Sequence, residues 1–269
     1  MDRSFCRFQT SSIDALLKLN IMASSTVSTR VLIIPDTHNF QFETPNSPGC
    51  RLRRPLPKVD VLLHCGVSLR KGLETLGVID VELKLVIAGN HDLDLDKEWW
   101  DAVHDNLEGH LKAVAVEEGT HSFTLGNGAK FTIHASSYSL ELNSWAFMYE
   151  CTEDGYNEEH QVASGVTSIA RNPVPEFPGV DIVKTHGPPT AILDQCREHA
   201  GCEKLLRASR TARPRMHGFD HIHEAGGAKF VDWESEEGIM SQQEEKELAD
   251  PPYESFQTAA GSYSFNPKI

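Results

Sequence analysis

No run of apolar residues in this sequence approaches the roughly 18 to 20 needed to cross a bilayer, so nothing in it reads as a membrane-spanning helix. Basic charge is also scarce. Lys and Arg number 25 against 39 Asp and Glu, giving a net charge of -14. A protein whose main partner is a nucleic acid carries a Lys/Arg footprint for the phosphate backbone, and so acidic a balance argues against that as the main business of this chain. No CxxC occurs among the six cysteines, at positions 6, 50, 65, 151, 196 and 202, and their spacing suggests no disulfide framework. The expectation is reduced thiols in a cytoplasmic protein. No internal repeat is visible either.

What is present is the composition of an ordinary globular chain. Its 269 residues are 39% hydrophobic and 24% charged, enough to bury a sizeable core. Residues 1–28 carry Arg3, Arg7 and Lys18 among Ser and Thr but also Asp2 and Asp14, which count against a transit peptide. Met22, followed by Ala-Ser-Ser, is a second candidate start. Residues 1–28 are expected to form a flexible extension that the fold does not need. Residues 29–269 are expected to form a single domain, with a solvated acidic loop over 234–254.

Arg30–Pro35, Val59–Cys65, Leu83–Ala88 and Val180–Thr185 are unbroken Val/Leu/Ile-rich runs, the pattern of strands buried on both faces. Arg215–Phe219 and Ala228–Trp233 are further strands. His121–Leu125 and Lys130–Ala135 form a hairpin, with Asn127-Gly128 supplying the positive φ of its turn. Helices are expected over Leu69–Gly77, Asp94–Leu107, Glu158–Arg171, 190–199 and 202–212.

Polar residues sit where the buried strands end: Asp36 and His38, Asn90 to Asp92, His186, and His221 with His223. In open α/β sheets the chemistry gathers at the carboxyl ends of strands. One such motif alone says little. Imidazole, carboxylate and an amide oxygen together suit borderline divalent metals, Mn²⁺, Fe²⁺, Zn²⁺ or Ni²⁺. No Ser or Cys in a nucleophile elbow competes for the chemistry.

Asp36-x-His38, Gly66 after a strand, Gly89-Asn90-His91-Asp92, Thr185-His186-Gly187-Pro188-Pro189 and His221-x-His223-Glu224 together resemble the ordered motifs of the calcineurin-like metallophosphoesterases. The stretch Thr185–Gly227 is similar to the small metallophosphoesterase-domain proteins of animals and fungi. The resemblance covers about residues 30–233. It implies an α/β/β/α sandwich of two mixed sheets flanked by helices, with one or two divalent metals per chain. It also implies a small phosphate-ester substrate, a mono- or diester or a cyclic nucleotide. Asp36, His38 and His223 would hold one metal, and Asn90, His186 and His221 the other. His91 would act beside the phosphate, oriented by Asp92.

The sequence departs from the family at two places. The family has an aspartate bridging both metals immediately after the glycine of the second strand, where this chain has Val67. A glycine usually precedes the first histidine of HxH, where this chain has Asp220, at a position expected to need a close backbone approach or unusual backbone angles. Two readings therefore stand side by side. One is a phosphoesterase of reduced activity, with Asp220 or water replacing the bridge. The other is a non-catalytic relative that keeps the fold to bind a ligand or a protein.

Overall fold

A computed structural model describes residues 17–22, 26–34, 57–67, 76–77, 79–92, 113–141, 145–196, 198–233 and 262–265. The strands are β1 (Leu17–Met22), β2 (Thr26–Ile34), β3 (Val61–Val67), β4 (Leu83–Ala88), β5 (Ala113–Ala115), β6 (Gly119–Thr124) and β7 (Lys130–Ser136). Two short parallel pairs follow: β8 (Ser139–Leu140) with β9 (Met148–Tyr149), and β10 (Glu153–Asp154) with β11 (Thr167–Ser168). The chain then continues with β12 (Ile182–Thr185), helix α1 (Glu203–Ala212), β13 (Met216–Phe219), β14 (Gly227–Phe230) and β15 (Ser262–Phe265).

The first main sheet has the order β1-β2-β3-β4-β5, parallel except for the antiparallel β1–β2 pair. The second has the order β14-β15-β13-β12-β7-β6 and is also mixed. The two pack face to face. Alternate residues of the first (Val31, Ile33, Leu63, Cys65, Leu85, Ile87) meet Phe131, Ile133, Ala135, Ile182 and Met216 of the second in one core. The intervening residues Leu32, Ile34, Leu62 and Val86 are buried as well. That is why the sequence shows solid apolar runs in place of alternation. Lys184 of β12 crosses this core and donates from Nζ to the Leu85 carbonyl (3.0 Å), tying the sheets together.

Helix α1 covers the outer face of the second sheet. Leu205, Ala208, Ser209 and Ala212, spaced for one helical face, are buried, and Leu205, Ala208 and Ala212 pack with Val183. Cys202 is its N-cap, with Sγ accepting from the Leu205 N–H (3.3 Å), and Arg213 ends it in the left-handed region at φ 47°. The fold class is thus a mixed α/β sandwich of two sheets. α1 is the one α-helix longer than a single turn among the described residues. No helix there is long and apolar enough to cross a membrane.

Several expectations need correction. Residues 158–171 do not form a helix. They hold one 3₁₀ turn, Glu159–Gln161, and then β11. Gly165, at φ +84°, breaks any helix, and the β-branched Val166 and Thr167 favour the extended chain that follows. Residues 190–196 and 198–199 are irregular: Ala191 and Leu193 take positive φ (60° and 49°). Asp194 holds the loop by accepting from His199 Nδ1 (2.8 Å) and the Gly201 N–H (3.0 Å). In the hairpin turn the positive φ falls on Gly128 alone (87°), while Asn127 contributes through its side chain, which accepts from the Ala129 N–H (2.9 Å). Leu17–Met22, assigned from sequence to the extension, pair antiparallel with β2. The helix expected at Asp94–Leu107 and the acidic tract over 234–254 lie outside the described residues.

Candidate metal centre

β3, β4, β12 and β13 all deliver their carboxyl ends to one edge of the sandwich. The turn after β4 carries Asn90 and His91, the residue after β12 is His186, and β13 is followed by Asp220 and His221. Three ligand atoms from these turns converge. His186 Nε2 lies 2.8 Å from Asn90 Oδ1 and 3.2 Å from His221 Nδ1. Two ligands of one ion, each at about 2.1 Å and subtending a right or tetrahedral angle, stand about 3.0 to 3.4 Å apart. The His186–His221 separation falls in that range and the His186–Asn90 separation just below it, close to the spacing of ligands that share one ion.

Their chemistry says the same. His186 Nδ1 faces the Cys65 carbonyl at 3.3 Å. Nε2 also faces an acceptor, the Asn90 amide oxygen, so the tautomer that serves a cation is the one with the proton on Nδ1, donated to the carbonyl, which leaves the Nε2 lone pair free. Burial, and then neighbouring His221, hold this imidazole well below the ordinary histidine range, so it is neutral. A lone pair aimed at an amide oxygen and at a second imidazole nitrogen is an arrangement that a cation stabilises. The residues present fit a divalent metal.

The backbone is shaped to hold this set. Gly66, at φ 117°, forms a bulge in β3 between the pairs Cys65↔Ile87 and Val67↔Ala88, a conformation that glycine alone adopts without strain. A Cβ on Gly89 would stand 2.9 Å from His186 Cε1 and 3.2 Å from the Gly66 Cα, so the ring lies directly against a backbone floor. Asp92, buried, accepts from the Gly89 N–H (2.7 Å) and pins the same turn. The Thr185 hydroxyl donates to the Gly187 carbonyl (2.7 Å) and accepts from His217 Nε2 (3.0 Å), bracing the other side of His186. His221 has φ 76°, a strained value for a non-glycine residue. The unusual backbone expected at position 220 thus falls one residue later.

Of the residues singled out from sequence, Asn90, His186 and His221 come together. His91 is exposed at the mouth, edge-on to Trp145 with ring centroids 4.4 Å apart. His223 is exposed, and its charge, like that of His91, adds to the depression of His186. Asp36 and His38 lie outside the described residues. Among the described residues no three His, Cys, Asp or Glu side chains converge on one point; the amide of Asn90 completes the pair of imidazoles. Sequence reasoning missed the cradle role of Gly89, which only the distance to His186 reveals, and the inter-sheet tie of Lys184. Tyr149 lines a small cavity with Ser139, Leu140, Tyr156, Cys202 and His221. His64 is a core residue with neither ring nitrogen hydrogen-bonded, and burial pushes it down to about 3. Cys65 is inert, since burial pushes its thiol up to about 12.

No protein-family model matches the chain. The human and mouse forms of Metallophosphoesterase domain-containing protein 1 are each 30% identical to it over 203 residues, covering 64% of this chain and 56% of theirs. A UPF0046 protein of Caenorhabditis elegans is 28% identical over 219 residues, 74% of this chain and 64% of its own. A protein of Emericella nidulans named Probable rhamnogalacturonate lyase C is 31% identical over 218 residues, 76% of this chain but only 18% of that protein. The chain spans about half the length of the metallophosphoesterase-domain proteins it matches. Sequence and two-sheet architecture agree: this chain is a relative of the metallophosphoesterase-domain proteins.

Proposed function

We propose that the chain is a metal-dependent phosphoesterase, acting in the cytoplasm on a small phosphate mono- or diester such as a cyclic nucleotide. The observation that carries this reading is the placement of Asn90 Oδ1 and His221 Nδ1 at 2.8 and 3.2 Å from His186 Nε2, with the Cys65 carbonyl facing the other nitrogen of that ring. Asn90, His186 and His221 hold one divalent ion; Asp36, His38 and His223 are the candidates for a second. Such ions supply Lewis acidity toward a phosphoryl oxygen. The protein's own contribution is to position and protonate. The Gly66–Gly89 floor fixes the His186 ring, the Cys65 carbonyl faces its Nδ1, and His91 at the mouth delivers a proton to the leaving-group oxygen. The lyase named for the fungal relative belongs to a protein of which this chain matches less than a fifth, and nothing at this centre favours that chemistry.

The test is metal content by elemental analysis, with bis-(p-nitrophenyl) phosphate hydrolysis after Mn²⁺ addition. The expected result is one to two ions per chain and turnover lowered at least about 100-fold by His91→Ala, the usual scale for a lost acid–base group. A protein that takes up no metal and shows no turnover would instead be a binding relative that keeps the fold.

A further inference from the structure

The three ligands around His186 are an amide and two imidazoles, side chains that bring no negative charge to a dication. A buried carboxylate stands beside them. Asp220 is fully buried, and its N–H donates to the carbonyl of His186 itself (3.0 Å). Its side chain is directed by the pleat of β13. Met216 belongs to the core between the sheets, and Phe219 packs in a different cluster with Ile192 and Val231. A Cβ on Gly218 would point at Ile33 Cδ1 (3.4 Å) and Cys65 Sγ (3.7 Å), across the sandwich. Position 220, two residues further, continues on that inward face. Cys65 is also the residue whose carbonyl faces the His186 ring. Asp220 thus follows β13 directly, buried where its backbone joins that of His186 beside the bulged end of β3.

We propose that Asp220 is the anionic residue of this centre, supplying from the end of β13 the negative charge that its amide and imidazole ligands lack. The inference rests on the metal-centre reading above and adds to it a specific residue that sequence comparison with the family places elsewhere. It gives one cause to both departures seen in the sequence: valine at 67, where the resemblance implies a carboxylate, and aspartate at 220, where it implies glycine. The charge is kept and its strand of origin has changed.

The experiment is calorimetric titration of metal-free protein with Mn²⁺ and with Zn²⁺, comparing wild type, Asp220→Asn and the double variant Val67→Asp/Asp220→Gly. Far-UV circular dichroism verifies the fold of each. Asp220→Asn is expected to weaken at least one binding event by about 10- to 100-fold, and the double variant to recover most of that loss. Unchanged affinity and stoichiometry in Asp220→Asn would overturn the inference while leaving the phosphoesterase reading intact. A loss that the double variant does not recover marks a packing role and also overturns it. If Asp220→Asn does not fold, the double variant decides alone: folded and metal-binding supports the inference, folded and metal-free refutes it. A wild-type protein that takes up neither metal removes both readings together.

Discussion

At the scale of single residues, the centre depends on an absent side chain as much as on those present. Gly89 has no positive φ to justify it; its role is steric, because a methyl there would overlap the His186 ring. Gly89→Ala should therefore leave the fold cooperative while displacing the imidazole. Mn²⁺ affinity is expected to drop by about tenfold or more, as when the support of a ligand is disturbed, and titration calorimetry on the folded variant reads it. Affinity equal to wild type would show that the ring moves away without cost. His64 is the opposite case, a polar side chain in an apolar setting with no hydrogen bond to lose. Replacing it with leucine removes a desolvation cost instead of a contact. The expected outcome is stability unchanged or raised by about 1 kcal/mol in urea unfolding. A loss of several kcal/mol would mean that the imidazole is packed to its shape.

Among elements, α1 is held by one stripe. Leu205 is 1% exposed and stands where the helix meets Val183 of β12, the strand that ends in the His186 turn. Leu205→Ala should cost about 2 to 5 kcal/mol, the usual range for a truncated buried leucine, with the transition midpoint shifted and its slope kept. The hairpin between β6 and β7 shows how local chemistry and tertiary context divide the work. Gly128, at φ +87° with open space around it, is a purely conformational requirement. The sequence Gly126-Asn127-Gly128 announces it without help from the rest of the molecule.

For the whole molecule, burial of histidine couples stability to pH. His134 is pushed down to about 4 and His217 to about 3, in both cases chiefly by burial. Unfolded, each titrates near 6.5. Between these values the unfolded chain binds more protons than the folded one, so stability rises with pH across the window and is lost as pH falls from about 6.5 toward 4. By pH 5 each is expected to cost on the order of 2 kcal/mol relative to pH 7. Urea midpoints measured from pH 7 down to pH 5 should fall steadily, and His217→Asn should flatten the slope. A midpoint independent of pH would show that these rings are hydrated when the protein is folded.

The primary sequence by itself determined the strands and the order of the chemistry. Unbroken apolar runs cannot sit on a solvated face, so Val61–Val67, Leu83–Ala88 and Ile182–Thr185 had to be interior strands, and polar residues at their ends had to lie at one edge of a sheet. Asn90, His186 and His221 were readable for that reason. The segments over 158–171 and 190–199 were not. Their helical composition is overridden by Gly165, by positive φ at Ala191 and Leu193, and by the Asp194 side chain, which outcompetes the helix for backbone donors. Only the tertiary structure decided what depends on two sheets meeting: the flat seat that Gly89 gives to His186, the Cys65 carbonyl that faces its ring from 121 residues away in sequence, and the burial of Asp220 beside it. Each is a distance between segments far apart in the chain, and no local pattern encodes such a distance.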